Sequence, residues 1–108
     1  MALFCCLHLS AATKKPELPA QYKKWLEQDV VYIITDEERK AFLALTTDQE
    51  REKFEETFWD IRNPLHSSER NPYKEEHYAR IEYANTHFGR ESGTNGWRTD
   101  MGRAYILF

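Results

Sequence analysis

Residues 47–64 read TDQEREKFEETFWDIRNP. Thr47 stands three residues before Glu50, the spacing at which a hydroxyl caps a free N–H of a first turn and a carboxylate reaches back. Phe54, Phe58 and Ile61 then recur at helical spacing with Trp59 adjoining, and Glu52, Glu55 and Glu56 mark the other face. Asn63-Pro64 stops the run, because the residue before proline disfavours the helical region. The stretch predicts a helix over about 48–62 with one aromatic face, and such a face needs other helices to cover it.

Upstream, Thr35 and Glu38 repeat the capping spacing. They predict a short helix over about 36–46 that buries Phe42 and Leu45, with Leu43 nearby. Leu18-Pro19 opens the ordered part. Tyr22, Leu26, Val30 and Ile33 follow at helical spacing beside Trp25. Residues 30–34 are β-branched and would suit a strand on propensity alone, but the continuing phase favours helix. Downstream, residues 65–70 are a polar surface loop. Asn71 as N-cap and Pro72 at the first helical position start a fourth helix, which runs to Phe88 and ends at Gly89. Its apolar line is Tyr73, His77, Ile81, Ala84 and Phe88. Residues 90–96 form a flexible loop, Trp97 to Arg103 a compact turn, and the apolar run Ala104-Tyr105-Ile106-Leu107-Phe108 a strand.

The expected fold is therefore mainly α. About four helices pack through Trp25, Phe42, Leu45, Phe54, Phe58, Trp59, Ile81 and Phe88. A Gly/Trp turn and a short C-terminal β-strand dock on them, the strand being alternatively the start of a truncated α+β domain.

Composition agrees with one small domain. The chain has 108 residues, 31% of them charged, and includes 3 Trp, 6 Tyr and 6 Phe, too many aromatics for a disordered chain. No run approaches the roughly 20 apolar residues that span a bilayer. The net charge of −3 is concentrated between residues 35 and 62. No basic stripe is present, so a nucleic-acid partner is not expected. Cys5 and Cys6 are adjacent and have no partner elsewhere, which excludes a disulfide framework and a cysteine metal site.

The apolar run around them ends in Ser10-Ala11-Ala12, followed by Lys14, Lys15 and Pro16. This resembles the end of a secretory signal peptide. Residues 1–17 are thus expected to be a leader, and 18–108 the domain. The implied location is secreted, periplasmic or otherwise in the cell envelope. The alternative is a disordered tail on a cytoplasmic protein.

The sharpest local motif is Gly96-Trp97-Arg98-Thr99-Asp100-Met101-Gly102-Arg103. Two glycines permit a tight turn, Asp100 can accept from backbone N–H groups, and Arg103 can pair with it. One reading anchors the C-terminal element. In the other, Trp97, Arg98, Asp100 and Arg103 form a ligand loop, with Trp97 stacking and an arginine gripping an anion. The motif lacks the pattern of a P-loop. Arg62 and Arg80 lie in aromatic-rich helical stretches and must snorkel or pair, with Asp29, Asp60 and Asp100 as expected partners.

With these residues the chain resembles the GWxTD domain, a bacterial family. The resemblance spans about residues 18–107. It extends from Gly96-Trp97-Arg98-Thr99-Asp100 to Trp25-Leu26, Asp29-Val30, Tyr32-Ile33-Ile34-Thr35, Glu37-Glu38 and Phe58-Trp59 with Arg62 and Pro64. Glu76-His77-Tyr78, Arg80-Ile81, Tyr83-Ala84-Asn85, Phe88, Gly102-Arg103 and Tyr105-Ile106 complete it. The family is commonly exported and implies no named activity. Asn63 stands where the family more often has Asp. Family members also usually continue past the terminal strand, which implies a domain cut short here.

Catalytic signals are weak. His66, Ser67 and Ser68 are contiguous on a loop, the wrong arrangement for a triad, and no nucleophile elbow is present. His66, His77 and His87 lack metal-ligand spacing, and His77 reads as a core histidine. No metal or cofactor is expected. The chain leans away from enzymes, towards a non-catalytic module that binds a protein in the envelope or plays a structural part there. The alternative is a small-ligand or carbohydrate-binding domain, or an enzyme, working through Trp97–Arg103.

Overall fold

The computed structural model describes residues 17–66, 68–89 and 93–108. Residues 1–16 of the expected leader therefore lie outside the described residues, as do Ser67 and the first residues of the 90–96 loop. Among the described residues the chain is mainly helical, with five α-helices and no strand: α1 (Ala20–Lys24), α2 (Asp36–Leu43), α3 (Asp48–Arg62), α4 (Pro72–His87) and α5 (Asp100–Leu107). None is long and apolar enough to cross a membrane.

The caps follow the sequence closely. Thr35 Oγ1 accepts from Glu38 N at 3.1 Å and Glu38 returns the bond, and Thr47 and Glu50 do the same at the start of α3. Asn71 Oδ1 accepts from Lys74 N at 3.1 Å with Pro72 in the first turn of α4. Gly89 follows that helix with φ of 86°, a conformation that disfavours any side chain.

Two expectations fail at the ends of the chain. The first helix does not continue through Ile33. After Lys24 it loosens into a π-turn, Trp25–Asp29, in which Val30 N donates to Trp25 O five residues back at 3.0 Å. Residues 31–33 then form turns. The β-branched run was an unreliable guide in both directions, because Val30 is fixed by burial in the core.

The terminal strand is instead the helix α5. Thr99 caps it, accepting from Gly102 N at 2.9 Å. Gly102 and Ile106, four apart, are buried while Met101, Tyr105 and Phe108 are exposed. With no neighbouring strand, a β-conformation would leave its backbone groups unpaired, and a helix pairs them locally.

The main core is aromatic. Tyr22, Trp25, Leu26, Val30, Phe42, Phe58 and Trp59 form one buried cluster joining α1, the π-turn, α2 and α3. Trp25 is at its centre, 5.1 Å from the rings of both Phe42 and Phe58, the second edge-on at 81°. Such pairs add about 0.5–1.5 kcal/mol each beyond their buried area. Within α3 the buried face is turned from the expected one: Phe58 and Trp59 are buried, whereas Ile61 is 68% exposed.

Arg62 also departs from expectation. Its guanidinium forks onto Glu38 at 2.8 and 3.0 Å, joining α3 to α2, rather than reaching Asp29, Asp60 or Asp100. It lies 3.7 Å from the centroid of Phe58. The pair holds the Glu38 carboxyl below its ordinary value, Arg62 being the largest cause. Arg80 pairs with Glu76 at 2.9 Å on its own helix and approaches Ile106 O at 3.5 Å, the only part of the expected tie to the C-terminal segment among the described contacts.

Glu55 behaves oppositely to Glu38. It is half-buried on α3, and burial pushes its carboxyl up to about 7, with Glu52 and Asp29 adding repulsion. The folded state therefore holds this proton more tightly than the unfolded chain. The associated stability is fully present below about pH 4.5 and is lost as pH rises through about 7. Glu55→Gln should stabilise the domain by about 1 kcal/mol at pH 8, after allowing for solvent screening, and change little at pH 4. Urea denaturation at the two pH values measures this; equal effects at both would contradict it.

Candidate functional site

Between α4 and α5 the chain makes a 3₁₀ turn, Gly96–Arg98, which opens the Gly-Trp-Arg-Thr-Asp motif. Gly96 is buried against the last turns of α4. A Cβ there would run into the carbonyl oxygens of Ala84 and Phe88, so the close approach requires glycine. Gly102 sits the same way against Gly96 O. The two glycines thus bring α4, the turn and α5 to backbone contact.

Polar groups then fix the turn. Thr99 Oγ1 donates to Gly96 O at 2.8 Å while accepting from Gly102 N, so one hydroxyl closes the turn and caps α5. Trp97 N donates to Asn85 Oδ1 of α4 at 2.9 Å. Tyr32 Oη, from the segment after the π-turn, donates to Trp97 O at 2.7 Å, and the two rings lie 6.1 Å apart. Burial pushes the Tyr32 phenol up, partly offset by the charges of Arg103 and Arg98.

Of the four residues suggested as a ligand loop, Trp97 is half-buried, and Arg98, Asp100 and Arg103 are exposed. Arg98 lies 5.8 Å from the Trp97 ring and Arg103 5.6 Å from the Tyr32 ring. The expected pairing of Asp100 with Arg103 is absent among the described residues; Asp100 instead occupies the first turn of α5, where a carboxylate complements the helix dipole.

Sequence reasoning did not foresee that Tyr32 and Asn85 would be the partners of the turn. Both belong to the pattern quoted with the motif, and that co-occurrence was the available signal.

Beside the turn lies an aromatic surface. Tyr83 and Tyr105 stack at 4.4 Å, and His87 stacks on Tyr83 at 3.8 Å. Met101 and Phe108 continue the exposed side of α5, Phe108 being 93% exposed. Asn63, buried, donates to Arg70 O at 3.1 Å and accepts from Leu65 N at 2.9 Å, closing the loop before α4.

The family model of the GWxTD domain matches residues 8–108. No curated protein and no solved structure matches the chain.

Proposed function

The chain belongs to the GWxTD domain family, and we propose that it is a non-catalytic module of the cell envelope that binds a protein partner. One observation carries this reading. The Trp97 backbone and the Thr99 hydroxyl of the motif are engaged inward, by Asn85, Tyr32 and Gly102, and the surface beside it presents Tyr83, Met101, Tyr105 and Phe108 to solvent. Aromatic and methionine side chains are the types enriched where proteins meet. The signal-like residues 1–17 support export.

The alternative, a carbohydrate or small anion held by Trp97 with Arg98 or Arg103, requires a free indole face. In this reading Trp97 is engaged by Tyr32 and half-buried instead.

A photo-crosslinking residue placed at Tyr105 in the source cells should give a discrete protein adduct, recovered with the envelope fraction. The same residue at Lys53, on α3, should not. Equal labelling at both positions, or none at 105, would count against the reading, as would quenching of Trp97 by simple sugars.

A further inference from the structure

Tyr83 on α4 and Tyr105 on α5 make the only contact between two tyrosine rings among the described residues. Their centroids lie 4.4 Å apart and their planes are 16° from parallel. Three sets of neighbours fix this geometry. His87, one turn further along α4, stacks on Tyr83 at 3.8 Å, and its Nδ1 lies 3.0 Å from Tyr83 O. A ring has two faces, so His87 and Tyr105 take one each. Phe88 stands edge-on to both tyrosines, at 6.1 and 6.2 Å. Gly96 and Gly102 bring α4, the turn and α5 to backbone contact, which sets how near the two rings come.

The stacked pair is also open to reagents. Each ring is 40% exposed, and neither hydroxyl has a hydrogen-bond partner among the described residues. The other phenols differ. Tyr22 donates to Glu52, Tyr78 to Asp29 and Tyr32 to Trp97 O. Tyr73 is similarly exposed, but its ring neighbour is Trp59, at 6.3 Å. Only at Tyr83 and Tyr105 do an accessible phenol and a second phenol in contact with it occur together.

We propose that Tyr83 and Tyr105 are an oxidative cross-linking site, at which a one-electron oxidant of the peroxidase class couples the two rings and locks α5 onto α4. Each phenol gives one electron to the oxidant and its hydroxyl proton to solvent, leaving a phenoxyl radical. The two radicals join through the ring carbons next to the hydroxyl-bearing ones, Cε of Tyr83 to Cε of Tyr105. The hydrogen on each of these carbons leaves as a proton, and each oxygen regains one, so both rings become phenols again. The chain loses two hydrogens in all, and the hydrogen peroxide that supplies the peroxidase takes them up as two molecules of water. Because the stack already holds the rings together, coupling is unimolecular and outruns encounters between chains. The site needs only the stack and the oxidant, and stands whether or not the same surface takes a protein partner.

The full chain at micromolar concentration, treated with a haem peroxidase and one equivalent of hydrogen peroxide, should give mainly a monomer lighter by two hydrogens with dityrosine fluorescence. Tryptic cleavage after Arg80, Arg90 and Arg103 should then release residues 81–90 joined to 104–108. That link should exceed any other tyrosine pair by about tenfold or more. Tyr105→Phe keeps a ring in the stack but forms no phenoxyl, and should lose the product, whereas Tyr73→Phe should leave its yield unchanged. In the cross-linked chain, amide exchange over 100–107 should slow about tenfold or more, because α5 can no longer leave α4. Products dominated by chain-to-chain dimers or by links through Tyr73, or an equal yield of monomeric dityrosine from Tyr105→Phe, would overturn the site. Unchanged exchange over 100–107 in the cross-linked chain would overturn the lock.

Discussion

Gly96→Ala should release α5 from the rest of the domain, at a cost of about 3 kcal/mol or more. The reason is space, not backbone angle. The added methyl would lie inside contact distance of Ala84 O, Ala84 C and Phe88 O, all backbone atoms of α4 and its C-cap. A side chain could swing away, but a helix backbone cannot without breaking its own ladder. The turn must therefore lift, and with it go the Trp97–Asn85 and Tyr32–Trp97 hydrogen bonds and the Thr99 contact that closes the turn. Gly93→Ala is the control. Nothing lies within 4 Å of its Cβ, and only its φ of 73° resists a side chain, a cost of about 1–2 kcal/mol. Amide hydrogen exchange separates the two variants. Gly96→Ala should abolish protection over 100–107 while 48–62 keeps most of it, and Gly93→Ala should leave both regions protected. Unchanged exchange over 100–107 in Gly96→Ala would show that the glycine contact does not hold α5.

What could be read from the sequence, and what could not, divides along the range of the forces involved. The capping pairs Thr35 with Glu38 and Thr47 with Glu50, and Asn71 with Pro72, act within one turn, and each sits where the spacing placed it. His77 is in the core, as its position on the apolar line implied. The failures are tertiary. Residues 104–108 have strand propensity, but Thr99 caps them into a helix and Ile106 buries one face. The aromatic surroundings of Arg62 imply a partner, yet the choice of Glu38 over Asp60 depends on how α2 crosses α3, which no local pattern encodes. For the motif, glycine pairing hinted at close packing; that the packing is on Ala84 and Phe88 follows only from the fold. The Tyr83–Tyr105 stack was invisible for the same reason, since the two rings meet only once α5 packs on α4.

Phe58→Ala should be the most damaging single truncation in the main core. Phe58 is 1% exposed and packs against two indoles and a guanidinium. Trp25 and Trp59 meet its ring edge-on at 5.1 and 5.0 Å, and the Arg62 guanidinium lies over it at 3.7 Å. Truncation removes the buried ring and leaves a cavity between two indoles too large to close quickly, a combination that costs about 3–5 kcal/mol. Against a total stability of roughly 5–15 kcal/mol for a domain of this kind, much of the population would unfold at moderate temperature. A second loss compounds the first: without the ring, Arg62 loses the surface that orients its fork onto Glu38, so the ion pair is weakened as well. The two effects are separable by a double-mutant cycle. Glu38→Gln alone should cost about 1–2 kcal/mol at pH 7, and less in a Phe58→Ala background, because the partner is already loosened there. Phe58→Leu, which keeps most of the volume, should cost about 1–1.5 kcal/mol and preserve the Arg62 coupling. Urea denaturation followed by tryptophan fluorescence reads all four variants. A Phe58→Ala cost below about 1 kcal/mol, or strictly additive losses with Glu38→Gln, would mean that the aromatic cluster and the Arg62–Glu38 bridge are independent supports.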